Sequence, residues 1–228
     1  MKIIFLAYRD WALEVVEEVR AKNFNVHTFE ILTSPAALTE YSRKKNIDLN
    51  LIFMAVGWSW IIEPEITNRY LCLGLHPSDL PNYRGGSPIQ NQIIDGVIST
   101  KCSLFRITEK LDSGEIWGKS ELWLGGDSMD EVLKNVKSSS VKLIESYLNN
   151  IENIQPESQD LSVGSYKRRR KPEESRILPE EVSFSDISKL YNKIRCLTYP
   201  YPNAYIEDSM GNRLYFEKVR FSKGGDIQ

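Results

Sequence analysis

His76 stands in the densest run of chemically suggestive residues in the chain, Leu75-His76-Pro77-Ser78-Asp79-Leu80-Pro81-Asn82-Tyr83-Arg84-Gly85-Gly86-Ser87-Pro88. An imidazole titrates near neutral pH, so it can accept a proton from an attacking group or carry charge toward a developing anion. Pro77, Pro81, Gly85 and Gly86 predict a fixed, non-repetitive loop whose backbone amides are free to meet a ligand. His27, the other histidine, lies in a predicted strand with no comparable setting. A partner for His76 is offered by Asp112, in Lys110-Leu111-Asp112-Ser113-Gly114-Glu115, a turn that could return to the same sheet edge. On spacing alone, Asp112 is equally a turn former that accepts its own backbone amides.

These residues need a scaffold. Ile3–Ala7 is an apolar run of strand length, and Leu13, Val15, Val16 and Val19 mark a helix over Trp11–Arg20. Phe24–Phe29, Leu49–Val56 and Tyr70–Leu75 predict three further strands, with a helix over Pro35–Lys45. Unbroken apolar strands separated by helices imply a parallel sheet covered on both faces. In such sheets ligands bind beyond the carboxyl ends of the strands, where His76 falls. Ser103–Thr108 and Ile116–Leu124 predict two more strands, and Met129–Ile151 an amphipathic helix capped by Asp127 or Ser128. A helix over Phe184–Arg195 and a hairpin from Ala204–Ile206 and Arg213–Val219 form a piece too small to fold alone. The fold expected is α/β, a Rossmann-like, mostly parallel sheet with helices on both faces plus a small C-terminal helix and β-hairpin. Its division is a catalytic unit over 1–152, a linker over 153–176 and an appendage over 177–228.

The first strand–helix turn, Ala7-Tyr8-Arg9-Asp10-Trp11, has no glycine, and no G-x-x-x-x-G-K-[ST] occurs, which argues against a dinucleotide at that turn and a P-loop nucleotide. With 228 residues, 26% charged, 41% hydrophobic and a net charge of −2, the composition is that of an ordered globular protein without a global basic field for nucleic acid or anionic lipid. Cys72, Cys102 and Cys196 are too dispersed for a disulfide framework or zinc ribbon and are expected to be reduced and buried. No metal site and no membrane span are expected, and the setting is cytoplasmic.

The segment HPSDLPNYRGGSPIQ, followed by EKLDSGEIW, resembles the signature of the folate-dependent formyltransferases, in which a histidine-proline-serine loop and an aspartate-x-glycine turn flank the reacting centre. SYKRRRKPEESRI and IRCLTYPYPNAY are similar to the junction and C-terminal segment of sugar N-formyltransferases, so the resemblance runs from about Leu49 to Arg220. One position departs from it. The family's asparagine, two residues before the histidine, is Gly74 here.

The resemblance implies attack of a substrate amine on the formyl carbon of 10-formyltetrahydrofolate through a tetrahedral intermediate. His76 would move the proton or stabilise the oxyanion, and Asp112 would orient the imidazole. Asn91, in the helix expected from Pro88, is the candidate to replace the missing amide, unless it merely caps that helix. The resemblance places the folate against Met54, Val56, Gly57 and Trp58, with Leu111 of the aspartate turn. Trp58 and Trp60 are read equally well as aromatic residues on the core surface. Ser78, Arg84, Gly85, Gly86 and Tyr201 are candidates for substrate contact. The implied acceptor is a nucleotide-linked amino sugar for surface polysaccharide, and a homodimer joined through Phe184–Val219 is expected. The alternatives are methionyl-tRNA or glycinamide ribonucleotide formylation, or a non-catalytic folate- or nucleotide-binding relative.

Overall fold

In the computed structural model, which describes residues 2–23, 28–43, 51–182 and 186–222, the apolar run near the N-terminus becomes strand β1 (Lys2–Leu6), followed by helix α1 (Asp10–Asn23). The chain continues through β2 (Thr28–Leu32), α2 (Pro35–Ser42), β3 (Leu51–Ala55), the short α3 (Pro64–Thr67) and β4 (Leu71–His76). Then follow β5 (Arg84–Gly85), α4 (Pro88–Ile94), β6 (Ser99–Arg106), β7 (Ile116–Trp123) and α5 (Met129–Asn150). The last elements are β8 (Tyr166–Lys167), α6 (Ser188–Cys196), β9 (Tyr205–Glu207) and β10 (Arg213–Tyr215).

The main sheet has six strands in the order β2-β1-β3-β4-β6-β7. The first four are parallel, while β6 and β7 are antiparallel to their neighbours. The alternation of β1 explains how both faces are covered. Ile3 and Phe5 pack with Val15, Val16 and Val19 of α1 and Ile144 and Tyr147 of α5 on one face. Ile4 and Leu6 pack with Leu38 and Tyr41 of α2 and with Ile66 on the other. This is the doubly covered, mostly parallel sheet the sequence predicts. The order reverses between β1 and β3, so a crevice opens beyond their carboxyl ends.

Ser128, one of the two expected caps, accepts from the Glu131 amide. The helix expected over Pro35–Lys45 is described only to Ser42, and residues 24–27, 44–50 and 183–185, where other predicted ends fall, lie outside the described residues. The C-terminal piece packs on the main unit: Ile177, Ile194, Cys196, Leu197 and Ala204 join Ile89 and Ile93 of α4 and Val132 and Val136 of α5 in one buried cluster. Arg195, 3% exposed, fastens α6 by donating from Nη1 to the carbonyls of Leu124 and Gly126. The segment between the two units also does more than connect them. Tyr166–Lys167 pairs in parallel with Arg84–Gly85, inside the histidine loop.

Candidate active site

His76 closes β4 and is nearly buried, at 6% exposed. Its Nε2 lies 2.8 Å from the carbonyl oxygen of Tyr83. A carbonyl can only accept, so Nε2 carries the hydrogen and Nδ1 is the nitrogen left for proton transfer. Nδ1 faces Oδ2 of Asp112 at 3.6 Å, an ion-pair separation too long for a hydrogen bond. The same Oδ2 accepts from the Gly85 amide at 2.8 Å. Histidine, aspartate and glycine loop therefore meet at one point.

The approach of Asp112 is not simple. Because β6 runs antiparallel to β4, Arg106 lies beside Leu73, and the Ile107 amide donates to the Cys72 carbonyl. The turn after β6 thus begins level with the start of β4 and folds back along the sheet to reach His76. Asp112 takes a left-handed backbone, φ 48°. Gln159 ties the turn down by donating to the carbonyls of Asp112 and Gly114, at 3.1 and 2.7 Å. Any side chain at Gly114 would collide with the Arg106 carbonyl, which accounts for the glycine of the aspartate-x-glycine turn. An open depression of about 350 Å³, lined by Arg106, Thr108, Ser113, Glu115 and Gln159 among others, flanks this turn.

The other expected residues fall into distinct settings. Asn91, in α4, donates its amide to the Gly86 carbonyl at 2.9 Å, in the loop that precedes the helix. Ser78 is fully buried and donates to the Asn82 carbonyl at 2.7 Å, so its hydroxyl shapes the loop. Arg84 is half-buried and makes no ion pair with a described residue, and its Nε is buried without a partner. Gly85, at φ 98°, and Gly86 both face backbone of Lys167–Arg169 so closely that a Cβ would collide. Tyr201 lies against Gln90, Arg9 and Arg169; burial pushes its hydroxyl pKa up, while Arg9, the Gln90 bond and Arg169 oppose the shift.

Met54 and Val56 are fully buried, so a ligand could meet them only through backbone. Gly57 takes φ 60°, and a Cβ there would come within 2.8 Å of the Trp11 ring, so the turn packs tightly on α1. Gly57–Ile61 makes no backbone hydrogen bond with another described residue, which leaves an open polar edge beyond β3. The Trp58 indole nitrogen is buried there without a partner, and Leu111, in the aspartate turn, is 54% exposed. An unpaired backbone edge with an orphaned donor fits the edge of a pterin ring, which offers alternating donors and acceptors.

Trp60, weighed from sequence beside Trp58, lies 4.2 Å from Tyr8 and 4.8 Å from Trp58, centroid to centroid. Tyr8 and Arg9 at this edge were not singled out as site residues from sequence. Ser59 Oγ accepts from Tyr8 and Arg9. Tyr8 and Arg9 follow β1 directly, so their place in the glycine-free first turn, at the crevice where the strand order reverses, was the available signal. Tyr83, Phe105 and Gln159 gave no such signal, since each acts through a fold-dependent contact.

All three cysteines are free and buried, and burial pushes the thiols of Cys72, Cys102 and Cys196 up to about 12, so none is a nucleophile at neutral pH. Among the described residues no His/Cys/Asp/Glu cluster could hold a metal ion, and no helix is long and apolar enough to cross a membrane.

Comparison with known proteins agrees with this arrangement. Residues 32–146 match the formyl transferase family model. Methionyl-tRNA formyltransferase of Sulfurimonas denitrificans is 28% identical over 261 aligned residues, covering 100% of this chain and 84% of that protein. The structure of methionyl-tRNA formyltransferase from Clostridium thermocellum superposes with a TM-score of 0.82 at 27% identity, over 98% of this chain and 95% of that one. A sugar N-formyltransferase from a Shewanella species shares the fold at 18% identity, with a TM-score of 0.73 over 98% and 99% of the two chains. With half of its length matched by the family model and the histidine and aspartate brought together as the loop and turn imply, the chain belongs to the folate-dependent formyltransferase family.

Proposed function

We propose that this protein transfers the formyl group of 10-formyltetrahydrofolate to the amine of a nucleotide-linked amino sugar. The bound folate supplies the formyl carbon. The acceptor nitrogen bonds to that carbon, the bond from carbon to the donor nitrogen breaks, and one proton passes from the acceptor amine to the nitrogen released. Nδ1 of His76 takes the proton, because Nε2 is already held by Tyr83, and the Asp112 carboxylate at 3.6 Å balances the resulting imidazolium. Burial of both side chains strengthens that interaction relative to water.

The observation that carries the choice of acceptor is how the basic residues near the loop are used. Within Lys167–Lys171, Lys167 pairs with Asp95 and Arg168 with Glu174, each at 2.8 Å, so those charges are answered inside the chain. Arg9 and Arg169 make no ion pair with a described residue, and both approach Tyr201 beside the Tyr8–Trp58–Trp60 cluster. Two unanswered guanidiniums next to flat aromatic surfaces suit a diphosphate and a base. They form a far smaller footprint than the many phosphate contacts of an RNA duplex.

Methionyl-tRNA is the second reading, favoured by the 28% and 27% identical relatives. The two are separated by incubating the protein and 10-formyltetrahydrofolate with thymidine- and uridine-diphosphate amino sugars in one arm and methionyl-tRNA in the other. Mass spectrometry showing one added formyl group on a sugar nucleotide supports the first reading. Formylation of methionyl-tRNA alone replaces it with the second.

A further inference from the structure

The strap Gly164–Arg170 lies along the histidine loop and is bonded to it at successive positions. The Ser165 amide donates to the Pro81 carbonyl at 3.2 Å, the Gly86 amide to the Lys167 carbonyl at 2.8 Å, and the Arg170 amide to Ser87 Oγ at 3.1 Å. Ser165 holds the most consequential place. Its Oγ accepts from the Tyr83 amide at 2.8 Å, and its carbonyl accepts from the Arg84 amide at 3.0 Å.

The Arg84 amide belongs to the same peptide group as the Tyr83 carbonyl. One line of hydrogen bonds therefore runs from the Ser165 carbonyl, through the Tyr83–Arg84 peptide, to Nε2 of His76. Bonds joined through one peptide polarise one another. Tyr83 also sits at φ 55°, a left-handed backbone that costs a non-glycine residue and persists only where its surroundings hold it. Ser165 grips it from both flanking peptides. The next residue but one, Gly85, supplies the amide that binds Asp112.

We propose that Ser165 is a positioning residue for catalysis: by holding the Tyr83 peptide in its left-handed turn, it keeps the His76 hydrogen on Nε2 and leaves Nδ1 toward Asp112. Without the Oγ acceptor, the amide of the Asn82–Tyr83 peptide loses its partner and the left-handed turn at Tyr83 is held only through the Arg84 amide, so the Tyr83 carbonyl tilts from Nε2 and no longer selects one ring nitrogen. The role in catalysis rests on the reading of His76 given above; the effect on the tautomer does not.

The test uses the full chain with histidine ring nitrogens labelled with ¹⁵N, in the native protein, Ser165→Ala and Ser165→Thr. The chain has two histidines, and the His76 signals are those missing from His76→Asn. The native ring is expected to show a single Nε2–H form when neutral. Ser165→Ala should show a mixture of tautomers and a kcat about tenfold lower, the weight of one hydrogen bond of about 1.4 kcal/mol, with KM for both substrates unchanged. Ser165→Thr, which keeps the hydroxyl, should restore both. An unchanged tautomer in Ser165→Ala overturns the proposal, as does a shifted tautomer with native kcat. If the native protein formylates none of the acceptors, the functional reading fails while the spectra still decide whether Ser165 fixes the ring.

Discussion

Gly74 on β4 and Phe105 on β6 are direct partners, and the phenylalanine ring fills the space a side chain at residue 74 would need: a Cβ there would lie 2.8 Å from the ring. The same ring meets the His76 imidazole nearly perpendicular, 86° at 6.3 Å between centroids. The position at which the resemblance expects an asparagine is thus closed by an aromatic that packs on His76. Gly74→Asn should destabilise the protein by about 1–3 kcal/mol through overpacking. Adding Phe105→Ala should recover more stability than the two single changes predict, a coupling that urea unfolding of the four-member cycle would measure.

Gly85 joins the strap to the aspartate. At φ 98° and facing the Lys167 carbonyl, it accepts no side chain without the loop moving, and that movement would withdraw its amide from Asp112. Gly85→Ala is expected to lower kcat by about 10- to 100-fold, the weight of a hydrogen bond to a charged group. Steady-state kinetics with circular dichroism would check it, and a native kcat in a folded variant would contradict it.

The sheet was legible in the sequence because its strands are continuous apolar runs: β1 and β4 fall within one residue of their predicted ends, as does the C-terminal end of β3. His76 was legible because it closes a strand and opens a proline- and glycine-rich loop. The strap was not. Ser165 and Lys167 act through backbone atoms, and nothing in a polar stretch with a basic run states which strand it will join. Asp112 was offered as the partner by its turn and by the resemblance, but its approach depends on β6 running antiparallel and the turn folding back, a choice of direction that strand periodicity leaves open.

Beside its apolar cluster, the C-terminal piece should be held in part by a buried cation. Arg195 donates to Leu124, Gly126 and the Asn192 side chain, and burial lowers its pKa from the ordinary arginine value. Arg195→Met would take the donor from the Leu124 carbonyl and leave Gly126 only the Tyr191 hydroxyl at 3.4 Å, at about 1–3 kcal/mol for an unsatisfied buried group. A lower urea midpoint with an unchanged slope is the expected result.

The thiols supply a test of the core. With Cys72, Cys102 and Cys196 buried and pushed up to about 12, iodoacetamide at neutral pH should label none in the native protein and all three in denaturant. Labelling with loss of activity under native conditions would show that the packing described around them opens readily.

If His76 moves the proton in formyl transfer, the single-turnover rate of His76→Asn, measured beside its affinity for tetrahydrofolate, separates the chemical step from binding. The imidazole touches no part of the open Gly57–Ile61 edge in the contacts described. Folate binding should therefore stay within about twofold of native, while the rate falls by at least about 10²-fold, the usual weight of a general acid–base group. A native rate in His76→Asn would contradict the account.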